Sequence, residues 1–520
     1  MMIVVSGCMS LEEEMYGKLF PESLYSNRDE LELTNNALYS RFSKIFHSDY
    51  TTLRIALFGG DDLTTPYSGN VPRMQYDTYV RQAADKDLKD GWEQAYMTIN
   101  VANGIINNYK KAADALGEAE LNRYAAQAYF ARATVYFWLV RLFNEIPYVT
   151  TAREPDKTIF LSSPETVYES IIEDLKFAET WLPNSWAGID AVKLNGAAFT
   201  AGAAKATLAS VYLTMAGYPL NKTENYRLAK EKAAELIDNE SSYGYRLIDH
   251  CEDLWKPEPK INNEMVLGLI YDGISEYNVF AGKACRPIQF DGWEAYCSEV
   301  NFFLRFPAGE RREATFVYEF PVTNGGPTGV AIVPVPPDRN DWVKWTDMVF
   351  AHPYYQKYWE IEGATGNDKW RMTTSDEWRS GRTMPIIRYA EVLLTYAEAQ
   401  AMADGTPNDL AYRCVNRVRN RAFAGVGSSG NELQPGLNAT AFRDSVFVER
   451  GWELAGEFNS RWFDLIRFEL VEDAAKETPD NKFLPGRSPS EFTIPSPPTK
   501  KSYYLPIPEE DALLNPNLLR

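Results

Sequence analysis

The sequence predicts a mainly α fold: irregular helix pairs, a loop-rich insert over about residues 241–380, and an extended Pro-rich C-terminal tail. Three observations predict it. Apolar residues recur at helical spacing through residues 31–240 and again through 384–470. Between about 241 and 380 that period fades while Gly, Pro, Trp and Tyr rise. From residue 479 onward nine prolines interrupt the chain, a composition that favours an extended path over the surface.

Taken in order, residues 9–30 read as an extended leader. Residues 85–110 carry Trp92, Tyr96, Ile99, Ala102 and Ile106 at helical spacing. Residues 118–143 are apolar on most faces, which predicts a buried helix ended near Ile146-Pro147. Ser163-Pro164-Glu165 is a helix start, with a hydroxyl cap, proline in the first turn and an acid at the positive dipole end. Its stripe is Val167, Ile171, Leu175, Ala178 and Leu182. Residues 194–216 are rich in Ala and Gly, so a neighbouring helix can approach closely. Residues 224–239 form another amphipathic helix. Val330–Pro337 is interrupted by proline and reads as an edge or loop. Helices return at 384–404, 408–423 and 439–456. These pairs resemble tetratricopeptide-type units, without a strict 34-residue repeat. Trp92, Trp138 and Trp181 lie in helix stripes and are expected in the core.

Composition excludes several functions. Among 520 residues, 53 are basic and 72 acidic, a net charge of −19. That balance opposes binding to nucleic acid or to an anionic membrane through bulk charge. The three histidines (His47, His250, His352) are far apart, and no paired-His zinc pattern occurs. No GxSxG or phosphate-loop pattern is present, and no dinucleotide-type Gly pattern follows a strand. No uninterrupted apolar run reaches 18 residues. No metal or cofactor is expected.

The chain opens MMIVVSGC, a short apolar stretch before Ser6-Gly7-Cys8. It resembles the end of a bacterial lipoprotein signal, with residues 1–8 a partial signal and Cys8 the lipidated residue. Ser10-Leu11-Glu12-Glu13-Glu14 resembles an export tag for the outer cell surface. Of the other cysteines, Cys285 and Cys297 are candidates for pairing in an oxidising compartment, with buried free thiols an equal alternative.

Six segments, in order, resemble the SusD/RagB family of outer-membrane nutrient-binding lipoproteins. They are QAYFARATVYFWLVRLFNEIPYV at 127–149, VYESIIEDLKFAETWLP at 167–183, RYAEVLLTYAEA at 388–399 with NRVRNRA at 416–422, ERGWEL at 449–454, RWFDLIR at 461–467, and YLPIPEEDALLNPNLL at 504–519. The resemblance implies one SusD-like domain over 31–520: a helical scaffold, a ligand-side insert and a wrapping tail at 479–520. It implies a non-catalytic, lipid-anchored binder on the outer membrane of a Gram-negative bacterium, facing the exterior. The implied partners are an oligosaccharide or polysaccharide and a SusC-like TonB-dependent transporter. The family's charged motif residues read as structural: Glu391 and Glu398, Arg450 and Glu453, and Arg461 and Asp464 are expected in buried Arg–carboxylate pairs.

Sugars offer apolar C–H faces and hydroxyl rims, which aromatic rings and polar side chains match. Two stretches carry such residues outside the helix stripes. The first is the loop 59–70, with Asp61, Asp62, Tyr67 and Asn70. The second is the insert, with Trp293, Tyr296, Arg339, Trp342 and Trp345. These tryptophans either face ligand or plug the insert's own core. Two adjacent acids, Asp61-Asp62, do not supply a calcium cage. Two other cargoes or activities fit the same chain: peptide binding on the same fold, and glycoside hydrolysis by paired carboxylates.

Overall fold

The computed structural model describes residues 24–46, 58–65, 71–152, 158–190, 192–256, 259–274, 277–278, 284–287, 292–321, 342–347, 351–359, 379–424, 431–458, 461–477 and 497–519. Cys8, Tyr67, Asn70, Arg339 and Val330–Pro337 lie outside the described residues.

The protein is mainly helical. Helix α1 spans Arg28–Phe46. It begins inside the stretch expected as leader, because the Asn27 side chain accepts the Glu30 N–H at 3.0 Å and caps the first turn. Helix α2 (Lys86–Asn108) is capped by Asp85, and α3 (Glu118–Phe143) is buried along nearly all of its length after Leu121. A helix apolar on all faces must sit at the centre, and α3 does, with α1, α2 and α4 (Pro164–Trp181) packed on it. Ser163 caps α4 by accepting the Thr166 N–H.

Helix α5 spans Ala201–Ala216, capped by Thr200, and packs between α4 and α6 (Asn225–Asp238). Residues 194–200 are therefore turns and not the helix expected there. Gly202 admits the Tyr245 ring so closely that a Cβ would overlap its hydroxyl, which is the close approach its small residues predict. In the C-terminal half, α7 (Tyr389–Asp404) packs on α6, on α8 (Asp409–Ala422) and on α9 (Ala439–Glu453). Helix α10 (Arg461–Arg467) completes this group. Trp92 and Trp138 are buried, and Trp181 is half-buried against the same core.

The described sheets are two-stranded. Strand β1 (Leu63–Thr64) pairs antiparallel with β5 (Cys297–Ser298), and β2 (Ile146–Pro147) with β3 (Leu161–Ser162). Strand β4 (Met265–Leu269) pairs with β10 (Met384–Arg388). Residues 384–388 are thus a strand, not the first turn of the helix expected at 384–404; Pro385 lacks the N–H a helix interior needs. Inside the insert, β6 (Phe316–Val317) pairs with β9 (Tyr354–Tyr355), and β7 (Glu319–Pro321) with β8 (Trp342–Lys344).

The tail from 497 is not wholly extended. Lys500–Tyr503 and Pro516–Leu518 are 3-10 turns, and Glu509–Leu514 is a short α-helix. Glu509, Glu510 and Asp511 in its first turn favour that helix through the dipole. The tail is pinned where Leu505 N–H donates to the Leu142 carbonyl at 2.8 Å. Cys251, Cys285, Cys297 and Cys414 are buried thiols, and no disulfide joins Cys285 to Cys297.

Candidate functional site

The loop after Phe58 enters the body and does not lie open to solvent. Gly59 has φ +99°, and a Cβ there would meet the Arg81 guanidinium at 2.8 Å and Trp462 at 2.9 Å. Tyr79 donates its hydroxyl to the Gly59 carbonyl at 2.8 Å. Asp61 receives two bonds from Arg461, at 2.5 and 2.7 Å, and a third from Arg305 at 3.2 Å. Burial pushes the Asp61 carboxyl up, and the Arg461 and Arg305 charges outweigh it, leaving the group below its ordinary value.

Asp62 accepts the Gly456 N–H at 2.8 Å, and its carbonyl accepts the Tyr355 hydroxyl at 2.5 Å. Burial, with Asp61 beside it, pushes its carboxyl up to about 6. Thr64 donates to Asp77 at 2.7 Å, and burial pushes Asp77 up to about 6 as well. Burial and the Asp77 charge push Glu299 well above the carboxylate range. Four buried acids therefore line the seam where β1 meets β5. Among the described residues, no group of three or more His, Cys, Asp or Glu is arranged to hold a metal ion.

Of the expected aromatic residues, Trp293, Tyr296 and Trp345 have described surroundings. Tyr296 is buried and stacks on Phe58 at 5.2 Å. Trp345 is buried, its edge on Phe303 at 6.0 Å. Trp293 is half-buried against the core. Trp342 lies on β8, where it pairs with Pro321 across the hairpin. Asp61, Asp62, Tyr296 and Trp345 thus have internal partners. They hold the seam together and do not present an open face to a ligand. A sequence places Asp61 in a polar loop because nothing near it announces Arg461.

Of the charged motif residues, Arg461 pairs with Asp61 and not with Asp464, and the others meet inside the C-terminal half. Arg450 Nε lies 2.8 Å from Asp464, and its guanidinium 3.7 Å from Glu391. Arg467 bonds Asp464 at 2.8 Å and also pairs with Glu398. Glu453 is surrounded by Arg421 at 2.6 Å, Arg388 at 2.9 Å and Arg311 at 3.0 Å. Arg388 extends the network to Glu264 at 2.5 Å and Glu457 at 2.7 Å, and Lys357 reaches Glu457 at 2.8 Å. Arg311, Arg388, Arg421, Arg467, Lys357, Glu264 and Glu457 are members that sequence reasoning did not single out. Arg388 and Arg421 stand inside the quoted motifs, whereas Arg311 and Glu264 lie in the insert, where no motif marks them. Burial raises the Glu453 carboxyl and the three guanidinium groups outweigh it, holding it far below the carboxylate range.

A separate cleft of about 400 Å³ lies between the starts of α1 and α3 and the turn 186–193. Its charges pair across it, Arg28 with Glu120 at 2.9 Å and Lys193 with Glu32 at 3.2 Å. Its charges, like those of the seam, are thus held by the protein's own groups.

A helical scaffold joined by short two-stranded pairs defines a class of large, mainly helical proteins. Comparison then places the chain. A model described as "SusD family" matches residues 347–520, and one described as "Starch-binding associating with outer membrane" matches residues 60–213. Over those two stretches the chain is similar to the SusD/RagB family. It is similar to SusD-like protein P2 of Formosa agariphila, 29% identical over 100% of this chain and 97% of that protein. A solved SusD homologue from Bacteroides thetaiotaomicron superposes with a TM-score of 0.79 at 24% identity, over 96% of this chain and 97% of that one. A laminarin-binding SusD-like protein gives a TM-score of 0.70 at 20% identity, over 94% of this chain and 98% of that one.

Proposed function

We propose that this protein captures oligosaccharides at the bacterial surface without cleaving them and hands them to a SusC-like TonB-dependent transporter. In this reading Cys8 carries a lipid anchor and the protein faces the exterior. The observation that supports the reading is the fold shared with the laminarin-binding protein across 94% of the chain, together with the SusD-type matches over 60–213 and 347–520. Trp293 and Trp342, both on the insert, would supply the stacking surface, with Tyr67, Asn70 and Arg339 bonding hydroxyl pairs.

The non-catalytic part rests on the acids themselves. Asp62 and Asp77 have the raised pKa that a general acid needs. Both are buried, and each is bound to the protein's own groups, so neither flanks an open cleft. Among the described residues, no helix is long and apolar enough to cross a membrane, which leaves lipid as the attachment this reading requires.

The test is a binding panel of plant, host and microbial oligosaccharides beside peptides, with reducing ends assayed after incubation. The expected result is saturable glycan binding and no new reducing ends. Peptide binding with no glycan signal would replace the cargo. Cleavage abolished by one carboxylate substitution would replace the mechanism.

A further inference from the structure

The tail ends in a cluster of large apolar side chains turned outward. Leu513 is 75% exposed, Leu514 58%, Leu519 67% and Phe160 69%. A single exposed leucine is ordinary; four large apolar groups in one place mark an interaction site. They share one place because the tail lies along the segment before β3. Asn515 Nδ2 donates to the Ile159 carbonyl at 2.8 Å, and Asn517 Nδ2 to that of Thr158 at 3.1 Å. The frame is anchored: Asn515 itself is buried, and so are Ala512 and Leu518. The exposed side chains therefore stand on a fixed support, which lowers the ordering cost of binding.

Charge around the patch selects the occupant. The helix carrying Leu513 and Leu514 starts with Glu509, Glu510 and Asp511. Glu93 adds its charge to Asp511, and Lys89 is held by Glu510 and by Glu93 at 3.7 Å. This acidic rim opposes anionic lipid headgroups. It also opposes a second copy of the chain, which would bring the same acids across an isologous contact. It fits a protein face with apolar side chains beside lysine or arginine.

We propose that Phe160, Leu513, Leu514 and Leu519 form the docking site for a protein partner of that chemistry, and that this partner is the SusC-like transporter. Naming the transporter rests on the transport role proposed above; the location of the contact rests on the patch. The test uses the full chain co-expressed with a SusC-like TonB-dependent transporter of the same genome. Wild type is compared with Phe160→Ser/Leu513→Gln/Leu519→Gln and with Glu509→Lys/Glu510→Lys.

The triple variant is expected to keep its melting temperature and its glycan binding while losing roughly tenfold or more in transporter affinity. The charge reversal is expected to weaken the complex too, with a smaller effect at high salt. Undiminished affinity in both variants would overturn the patch as the contact. If wild type binds glycan but forms no complex, the transporter role itself fails, and the proposed occupant with it. Sedimentation of unlipidated protein with phosphatidylglycerol vesicles, lost in the triple variant, would assign the patch to lipid and overturn the proposal.

Discussion

Asp62 holds a carboxyl among groups that favour its neutral form. Its folded pKa of about 6 lies above the value of about 3.9 expected when unfolded. A raised carboxyl contributes stability that is fully present below about pH 4 and is lost as pH rises through about 6. Asp62→Asn keeps an oxygen for the Gly456 N–H and removes the charge. The variant is expected to gain on the order of 1–3 kcal/mol over wild type at pH 8 and to lose that advantage at pH 4. Urea unfolding at the two pH values reads the difference. Asp61 behaves oppositely, because Arg461 and Arg305 compensate its charge. Asp61→Ala strands a buried guanidinium and is expected to cost about 3–5 kcal/mol in the same assay. A loss below about 1 kcal/mol would mean that Arg461 finds another partner. These two neighbours show where sequence reading stops. Gly59 to Asn70 is polar and Gly-rich, so it reads as an exposed loop, and the fact that reverses the reading is a guanidinium 400 positions away.

Elements with period and caps were legible, and elements without them were not. Helix α4 starts at Pro164 because Ser163-Pro164-Glu165 is a complete start signal. Helix α3 was legible from its apolar faces alone. The two-residue strands β1 and β5 are too short for any alternation, and their partners lie far along the chain. The insert therefore read as loop, and its tryptophans could not be sorted into core and surface. The structure sorts two of them. Trp345 is packed on Phe303 beneath the β7–β8 hairpin, so Trp345→Ala is expected to cost about 3–5 kcal/mol of stability. Trp293 is half-buried, so Trp293→Ala is expected to lower glycan affinity with a smaller loss of stability. Melting temperature and affinity, measured on both variants, check the pair. Equal loss of stability with unchanged affinity would make Trp293 a core residue too.

At the scale of the whole molecule, the insert is fastened to the C-terminal helices by charge buried between them. Glu264 on the insert side and Arg388 at the end of β10 meet Glu453 of α9 and Arg421 of α8 in one network. Arg311 joins from the insert through Glu449 at 2.6 Å and Glu453. A network shared by separate segments makes their unfolding cooperative, since removing one charge strands several others. The folded pKa of Glu453 is lowered, so its contribution is present above the unfolded value near 4.3 and is lost as pH falls through the folded value. Asp464 and Glu457 are lowered for the same kind of reason and act in the same direction. Acid is therefore expected to unfold the insert and the C-terminal helices together, below about pH 4. Glu453→Gln leaves Arg311, Arg388 and Arg421 short of one negative charge. It is expected to lower stability at pH 7 by about 3–5 kcal/mol while wild type and variant converge in acid. Hydrogen exchange at the amides of the insert reports the insert, and exchange in α7, α8 and α9 reports the C-terminal helices. Coincident transitions in both signals, shifted together by Glu453→Gln, are the expected result; a helix transition that stays in place while the insert melts early would show that the network does not join them.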